Sequence, residues 1–383
     1  MKKAIQLGAG NIGRGFIGSL LHKSGYHVVF ADVVEPVVNR INTDKEYTIF
    51  IKDTESSEEK VDNISAVYSN KEEFIDVMKE AEILTTAVGP NVLKIVASTI
   101  AKGITARFES GITGYFNIIA CENALNASSG LKDNVYEYLS DEVKAYADEY
   151  IGFPNSSVDR IVPPAYCSNP IDVVVEKYYE WNVQKIEFKG PIPKIEGMNL
   201  ADNLMSYVER KLFTLNTGHA ITAYLGYLKG YKTVDQSIDD PEIYKIVKNA
   251  MVESGNALIE KYHFDKDEHL KYIHKIINRF KNAHLKDDVT RVGREPLRKL
   301  SPTDRLIKPM QTALYYNLPI DNLIIGVAAA FNFRNQDDPQ SRQLAEELNT
   351  HDLVSVIKEV TKLTQPEIIN KIVLAYNKFQ NMD

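Results

Sequence analysis

Apolar and polar positions follow two different patterns along this chain. In the first half, short apolar runs bounded by turn residues alternate with stretches of helical periodicity. Such runs predict buried strands, and their alternation with helices indicates a parallel sheet with crossover helices. The segment 171–188 contains three successive valines and an alternating run, which predict further strands of the same sheet. The other predicted strands lie at residues 4–7, 27–31, 83–87 and 118–121.

From residue 199 to the end, almost every segment has helical periodicity instead. A Gly-Pro-Ile-Pro break at residues 190–193 separates the two patterns, and such residues interrupt both helices and strands. We therefore predict a doubly wound, Rossmann-type α/β domain over residues 1–192, followed by an all-α domain over residues 193–383.

A glycine-rich motif directly follows the first predicted strand and opens a helical segment. In a G-x-G-x-x-G motif, the first glycine permits a tight turn, the second lets the backbone approach a pyrophosphate, and the third lets the helix pack on the strand. The free N–H groups at the start of the helix can receive the phosphate charge. The alternative is a turn with a purely structural role. The predicted dinucleotide-binding residues are Gly8, Ala9, Gly10, Asn11, Ile12 and Gly13.

Two further positions extend this predicted cofactor site. Asp32 closes the second strand, where its carboxylate can accept hydrogen bonds from both adenosine ribose hydroxyls and repel a 2′-phosphate. The cofactor is therefore expected to be NAD rather than NADP, although Asp32 also fits a solvated strand end. Val88 follows a later strand, at the edge of the sheet where the nicotinamide half should lie. Taken alone, the Gly-Pro pair that comes next is typical of a turn.

A second motif that could support catalysis lies in the first long helical stretch of the second half. At 100° per residue, Asn216 lies about 140° and His219 about 80° from Lys211 around a helix, so the three side chains can converge. Oxidation of an alcohol needs a base for the hydroxyl proton and donors for the developing alkoxide. The alternative is a charged helix face with a packed histidine. A regulator that binds NADH without catalysis would not need this alignment.

The glycine motif, the Lys211-x4-Asn216-x2-His219 pattern and the segment 153–163, Phe-Pro-Asn-Ser-Ser-Val-Asp-Arg-Ile-Val-Pro, together resemble the polyol-specific long-chain dehydrogenases. The resemblance spans nearly the whole chain. In its compact length and in the sequence of residues 209–219, the chain is most similar to the family members that act on mannitol 1-phosphate. The resemblance implies NAD-linked interconversion of mannitol 1-phosphate and fructose 6-phosphate. A related enzyme acting on an unphosphorylated polyol or a hexuronate is the alternative.

The same resemblance implies roles for individual residues. Lys211 matches the catalytic base, and Asn216 and His219 match the residues that hold and polarise the reacting oxygen. Asn123 and Asp159 match positions that line the substrate site, and Asn123 is also assigned to the cofactor site. Taken without the resemblance, Asn123 fits an Asx turn and Asp159 fits a structural ion pair.

A basic segment at residues 291–308 is a candidate phosphate site. It contains six basic residues and two acidic ones in a chain whose net charge is -7. A charge run is usually a solvated face, but breaks at two prolines and one glycine suggest a shaped loop that presents arginines to a sugar phosphate. Arg14, beside the glycine loop, is the alternative. The residues predicted to contact the phosphate are Arg294, Arg298, Arg305 and Lys308.

The amino-acid composition limits the classes of partner and the cellular compartment that we expect. Hydrophobic residues make up 44% and charged residues 25% of the 383 positions, as in ordinary soluble proteins. The net negative charge argues against nucleic acid or a membrane surface, and we see neither a signal peptide nor an apolar run of about 18 residues. The two cysteines, Cys121 and Cys167, fit a reducing cytoplasm. The spacing of the histidines does not match that of an H-E-x-x-H zinc site, so we expect no catalytic metal. We therefore expect a cytoplasmic enzyme with a small-molecule substrate, as a monomer or dimer.

Overall fold

The structure is a computed structural model that describes residues 2–53, 56–163, 167–285 and 287–381. Its chain divides into two compact units, Met1–Tyr207 and Val208–Asp383. The strands are β1 (Lys3–Leu7), β2 (His27–Asp32), β3 (Tyr47–Lys52), β4 (Ser57–Val61), β5 (Ile64–Tyr68), β6 (Ile83–Thr86), β7 (Phe116–Ala120), β8 (Ile151–Gly152), β9 (Ser156–Asp159), β10 (Val173–Glu176), β11 (Glu180–Gln184) and β12 (Met198–Ala201).

The helices of the first unit alternate with these strands. They are α1 (Ser19–Lys23), α2 (Glu35–Asp44), α3 (Glu72–Glu80), α4 (Leu93–Glu109), α5 (Ala127–Tyr136) and α6 (Asp141–Tyr150), with a π-helical segment at Gly13–Gly18 and 3-10 turns at Pro90–Val92 and Lys185–Glu187. The helix α7 (Leu204–Arg210) follows β12.

Among the described residues, six parallel strands form the main sheet, in the spatial order β5-β2-β1-β6-β7-β8. The order runs outward from β1 in both directions, which is the doubly wound arrangement. The four strands predicted from the first apolar runs are β1, β2, β6 and β7, and the predicted Rossmann-type fold is confirmed. All of their carboxyl ends meet at one edge, where ligands of such sheets bind.

The main sheet is buried on both faces, which explains why its strands are continuously apolar. Ala4 belongs to a core with Phe16 and Leu20 on one face. Its neighbour Ile5 belongs to a second core on the opposite face, together with Phe74. Successive side chains of a strand point to opposite faces, so β1 contributes to both cores.

The prediction that residues 171–188 extend the main sheet is wrong. Strand β10 pairs in parallel with β3, within a small sheet of order β10-β3-β4. Strand β11 pairs with β9 and β12 in another small sheet. These strands are as apolar as those of the main sheet, because Val173, Val175, Trp181 and Val183 are all buried. Apolar periodicity identifies a buried strand without identifying the neighbour with which it pairs.

The pairing of β12 with β11 carries the first unit beyond residue 197. The unit ends at Tyr207, whereas the boundary predicted from the Gly-Pro-Ile-Pro break lies between residues 192 and 193. That break precedes the last strand of the small β9-β11-β12 sheet.

The second unit is helical throughout the residues that the structure describes, apart from an isolated bridge between Thr233 and Asp288. A π-helical segment, Lys211–Asn216, follows α7, and 3-10 geometry occurs at Ala283–Leu285. The remaining helices are α8 (Thr217–Leu228), α9 (Val234–Asp239), α10 (Pro241–Tyr262), α11 (Lys266–Phe280), α12 (Val289–Gly293), α13 (Pro296–Lys299), α14 (Ile307–Tyr315), α15 (Asp321–Phe331), α16 (Pro339–Thr350), α17 (Leu353–Thr361) and α18 (Pro366–Gln380).

The apolar helix α15 packs against α8, α10 and α18 in this unit. Gly326 of α15 permits close packing on α8, since a Cβ atom there would lie 2.5 Å from Ile221. Within the described ranges, no helix is both long and apolar enough to cross a membrane.

Candidate active site

The glycine loop has the geometry that a pyrophosphate requires. Gly8 adopts φ +92°, its N–H donates to the Ala31 carbonyl at 2.8 Å, and a Cβ atom there would lie 2.4 Å from the Ala87 oxygen. A Cβ atom on Gly13 would lie 2.0 Å from the Gly8 oxygen, so the helix packs closely on the turn. Gly10 is exposed, and a Cβ atom there would meet nothing within 4 Å. The backbone at Gly10 is therefore open to a ligand.

Arg14 stabilises this loop through hydrogen bonds to backbone carbonyls. Its guanidinium donates to the carbonyl oxygen of Ala9, and its Nε donates to the carbonyl of Ile171 at 2.8 Å. The side chain is buried, and this burial lowers the pKa of Arg14. Because its donors are engaged with backbone carbonyls, Arg14 acts within the fold of the loop.

Asp32 binds the glycine loop as well as closing β2. Its Oδ2 accepts a hydrogen bond from the Ala9 N–H at 2.7 Å, and its Oδ1 accepts from the N–H groups of Val33 and Val34 at 2.7 and 3.0 Å. A carboxylate has about four lone-pair sites, so acceptor capacity remains for ribose hydroxyls. The contact with Ala9 was not predicted from the sequence, since it joins residues 23 positions apart.

We expect Asp32→Asn to weaken NADH binding roughly tenfold, because charge-assisted hydrogen bonds to ribose become neutral ones. The discrimination against NADPH should also fall, since a negative charge no longer faces the 2′-phosphate. The single acceptor oxygen of asparagine can still accept from the Ala9 N–H, so the loop should persist, while the Val33 and Val34 N–H groups lose their carboxylate acceptor. Calorimetric titration with both cofactors measures the effect. Glu35→Gln, an exposed carboxylate at the start of α2, is the matched control. Equal affinity of the unmodified protein for NADPH and NADH would refute the role of Asp32.

A buried carboxylate that the sequence analysis missed organises the loop after β6. One oxygen of Glu122 accepts from the Thr86 hydroxyl at 2.8 Å and the Val88 N–H at 2.9 Å, and the other accepts from the Gly89 N–H at 2.9 Å. Gly89 adopts φ +94°. Glu122 therefore sets the backbone around Val88. The available signal was a carboxylate two residues after the end of the buried strand β7, at the edge where ligands bind.

The structure brings most of the predicted cofactor residues to one edge of the main sheet. The glycine loop follows β1, Asp32 ends β2, Val88 follows β6 and Asn123 follows β7, and these strands are parallel neighbours. Asn123 is exposed there. Asp159 instead ends β9 of a small sheet, where it is buried opposite Glu180. The two predicted substrate residues of this unit thus lie on different sheets.

In the second unit, Lys211 and Asn216 begin and end the π-helical segment. An α-helix would place residues five positions apart about 140° from each other. In a π-helix, the hydrogen bond from residue i to residue i+5 widens the turn, so residues five apart lie closer together around the axis than in an α-helix. The geometry assumed from the sequence is therefore wrong at this point, and the difference places Lys211 and Asn216 closer around the axis than expected. Such π-helical turns are frequent at functional sites.

His219 lies in the first turn of α8, directly after this segment. Its Nε2 atom is 2.9 Å from Oδ2 of Asp287 in an ion-pair contact. Its ring stacks on Phe280, with the ring centroids 5.2 Å apart and the planes 13° from parallel. The imidazole is thus held at one face and at one edge.

Three of the four basic residues predicted to contact a phosphate are paired within the chain. Arg298 and Arg305 both contact Asp304, at 2.7 and 2.8 Å. Lys308 contacts the buried carboxylate of Glu209 at 2.9 Å. Burial would raise the pKa of Glu209, but its hydrogen bonds with lysines lower it. A phosphate binding to these three cations would compete with existing carboxylates.

Arg294 differs from the other three. It is exposed, and its guanidinium forms no ion pair within 4 Å with the part of the chain that the structure describes. It sits in the left-handed turn before α13, where Glu295 has φ 59°. Arg294 is therefore the cation of the segment that can bind a phosphate without giving up a partner.

Lys299, in the same segment, is buried. Its ammonium donates to the Arg294 carbonyl oxygen. Burial, together with the positive charges of Arg305 and Arg298, lowers the pKa of Lys299 to about 7. The folded protein thus disfavours the charged form of this lysine.

We expect the free energy of unfolding to rise with pH between about 7 and 10.5 because of Lys299. In that range the unfolded lysine holds a proton that the folded one has lost, which contributes up to about 1.4 kcal/mol per pH unit. Below pH 7 the full cost of burying the charge is present. Lys299→Met should remove this contribution to the slope, whereas exposed Lys245→Met should not. Urea unfolding at several pH values measures the slopes, and equal slopes in the unmodified protein and Lys299→Met would contradict the expectation.

Across the described residues, no three His, Cys, Asp or Glu side chains are grouped so that they could hold a metal ion.

Comparisons with known proteins agree with this architecture. Residues 2–197 match the mannitol dehydrogenase Rossmann domain, and residues 203–380 match the mannitol dehydrogenase C-terminal domain. A substrate-free D-sorbitol dehydrogenase has a similar structure, with a TM-score of 0.85 and 15% identity over 99% of this chain and 94% of that one. Mannitol 2-dehydrogenase of Pseudomonas fluorescens, in a ternary complex with NAD and D-mannitol, has a TM-score of 0.73 and 15% identity over 99% and 92%. At this identity the two structures show the shared fold. The two domain matches together cover nearly the whole chain, which belongs to the mannitol dehydrogenase family.

Proposed function

We propose that this protein is an NAD-dependent mannitol-1-phosphate 5-dehydrogenase, which interconverts mannitol 1-phosphate and fructose 6-phosphate. The observation that carries the proposal is the π-helical segment, which brings Lys211 and Asn216 closer around the axis than an α-helix would and leads directly to His219. A lysine, an amide and an imidazole supply a proton acceptor and two polar groups for a reacting oxygen. Membership of the mannitol dehydrogenase family supports a polyol as the substrate class.

NAD is the cofactor, and it supplies the acceptor for the hydride when bound. The residues that would hold it are those of the glycine loop, with Asp32 on the ribose and the loop of Val88 toward the nicotinamide. The open backbone at Gly10 fits the pyrophosphate, because no side chain fills the space there. The exposed apolar side chains of Val33 and Val34, 62% and 48% accessible, offer a surface for the adenine ring.

The side chains of the second unit perform the proton chemistry in this proposal. In the oxidation direction, the neutral amine of Lys211 takes the proton of the substrate hydroxyl, while Asn216 and His219 hold the oxygen. An ordinary lysine has a pKa of about 10.4, so the neutral form becomes more abundant as pH rises. Oxidation should therefore be favoured at higher pH and reduction at lower pH.

The preference for a phosphorylated substrate rests on the basic segment 291–308. A dianionic phosphate that enters a protein of net charge -7 needs a local cationic site. The planar guanidinium of arginine matches phosphate oxygens in a bidentate manner. Arg294 is available for such a contact, and Arg298, Arg305 and Lys308 follow it in the same segment. Asn123 and Asp159 are the proposed contacts for the polyol hydroxyls.

A specific observation favours a second candidate, a dehydrogenase of an unphosphorylated polyol. Three of the four proposed phosphate contacts already have carboxylate partners. The structural neighbours are a D-sorbitol dehydrogenase and a mannitol 2-dehydrogenase. In this candidate, the basic segment would be a structural ion-pair network.

Oxidation of NADH with a panel of ketoses distinguishes the two. We expect the purified protein to oxidise NADH with fructose 6-phosphate at a kcat/KM far above that with fructose or a ketohexuronate. Equal or greater efficiency with fructose would favour the second candidate. No oxidation of NADH with any member of the panel would refute both and favour a cofactor-binding protein without this activity.

A further inference from the structure

His219 lies against the buried carboxylate of Asp287, and the proposed mechanism gives a role to His219 but none to Asp287. Their side chains are 18% and 8% exposed, and Nε2 of the imidazole lies 2.9 Å from Oδ2 of the carboxylate. The contact is electrostatic rather than an aligned hydrogen bond, because Nε2 has no hydrogen-bond partner among the described residues. Phe280 covers one face of the imidazole. The orientation of the ring is therefore set by two neighbours that are distant in sequence.

Asp287 is itself firmly held. Its carbonyl oxygen accepts from the Val234 N–H at 2.9 Å, and its Oδ1 pairs with Arg291, one turn later. Burial alone would raise the pKa of Asp287, but the contacts with His219 and Arg291 lower it below its usual value. The carboxylate is therefore ionised at neutral pH, with a fixed place in the fold.

We propose that Asp287 is a positioning residue that keeps a proton on Nε2 of His219, so that Nδ1 is the nitrogen that meets the reacting oxygen. This inference rests on the proposed function, which assigns His219 to that oxygen. The physical reason is the short distance between Nε2 and a carboxylate. With its proton on Nδ1 instead, the neutral ring would turn the Nε2 lone pair toward a negative oxygen, which is repulsive.

The position of this proton determines what His219 can do. A neutral imidazole protonated on Nε2 can only accept a hydrogen bond at Nδ1, whereas the imidazolium donates from both nitrogens. His219 can therefore donate to the substrate oxygen only as the imidazolium. A positive ring beside the reacting oxygen would stabilise the negative charge that develops there as the hydroxyl proton leaves.

The first test is independent of activity. The protein is labelled with 15N histidine, and the ring signals of His219 are assigned by their absence in His219→Gln. We expect the unmodified protein to show His219 protonated on Nε2. In Asp287→Asn the amide can donate to or accept from Nε2, so both neutral forms become accessible and the 15N pattern should change. Asp288→Asn, which removes the adjacent exposed carboxylate, should leave it unchanged.

The second test is kinetic. Losing the carboxylate that orients a metal-ligating histidine typically costs 10- to 100-fold, and by analogy we expect Asp287→Asn to lower kcat about tenfold. KM for the ketose phosphate and the affinity for NADH should change little, because the residue acts through His219 on the reacting oxygen. Asp288→Asn should behave like the unmodified protein.

Two results would overturn the proposal: a proton on Nδ1 of His219 in the unmodified protein, or an unchanged kcat in Asp287→Asn. If that variant does not fold, the 15N measurement on the unmodified protein still decides. A failure of the proposed function gives a different result, since the unmodified protein would then turn over no ketose while its His219 signals could still show the Nε2 proton.

Discussion

Lys211→Ala is expected to lower the rate of hydride transfer by at least about 100-fold, the usual minimum effect of losing a general acid or base. Without the amine, the π-helical segment Lys211–Asn216 contains no basic side chain. NADH binding should survive, because the cofactor residues lie in the first unit. Single-turnover oxidation of NADH with fructose 6-phosphate measures the chemical step without contributions from product release.

Two controls separate a chemical role of Lys211 from a structural one. Lys245→Ala removes an exposed lysine on α10 and should leave the rate unchanged. Lys211→Met preserves the aliphatic stem, so it should lose as much activity as Lys211→Ala if the amine is what matters. A near-normal single-turnover rate in either Lys211 variant would assign the proton transfer to another group, with His219 the next candidate.

The second large effect is expected at the basic segment. Arg294→Ala should lower kcat/KM for fructose 6-phosphate roughly 10- to 150-fold, the range for a lost charge-assisted hydrogen bond of about 1.5–3 kcal/mol. Activity with fructose should scarcely change, so the ratio of the two kcat/KM values is the quantity to measure. Arg342→Ala, an exposed arginine outside the segment, is the matched control.

The ion pairs in the segment make this prediction sharper. If Arg298 and Arg305 bind the phosphate, then Asp304 competes with it, and Asp304→Asn should raise the ratio that Arg298→Ala and Arg305→Ala lower. If the two arginines serve only the fold, Asp304→Asn should leave the ratio unchanged. Lys308→Ala extends the test to the pair with Glu209. If none of the four cation variants lowers the ratio, the phosphate is bound elsewhere and an unphosphorylated polyol becomes the better candidate.

The sequence by itself determined the Rossmann-type fold of the first half and the helical character of the second. It also located the glycine loop, since Gly8, Gly10 and Gly13 act within one short motif, where Gly8 supplies a positive φ and Gly13 permits close approach. Such features are local. The spacing of glycines, the apolar runs of β1, β2, β6 and β7, and an acidic residue at a strand end can be read without knowing which segments meet.

Tertiary structure decided the features that depend on partners far apart in the chain. Strands β10 and β11 belong to small sheets rather than to the main sheet. The sequence did not predict this, because an apolar run does not specify the strand with which it pairs. Glu122 reaches the backbone of Val88 and Gly89, and Asp32 reaches Ala9, across 23 or more positions. The α-helical angles assumed from Lys211 gave way to a π-helical segment, which no periodicity in six residues reveals.

The same distinction applies to charge. The cations of the segment 291–308 are evident in the sequence, but which of them are neutralised depends on packing. Asp304 and Glu209 take up three of them, and Asp287 lies against His219, 68 positions away. Electrostatic interactions depend on distance and burial in the folded state, and composition specifies neither. The sequence thus determined which chemical groups are present, and the fold decided which of them are already paired.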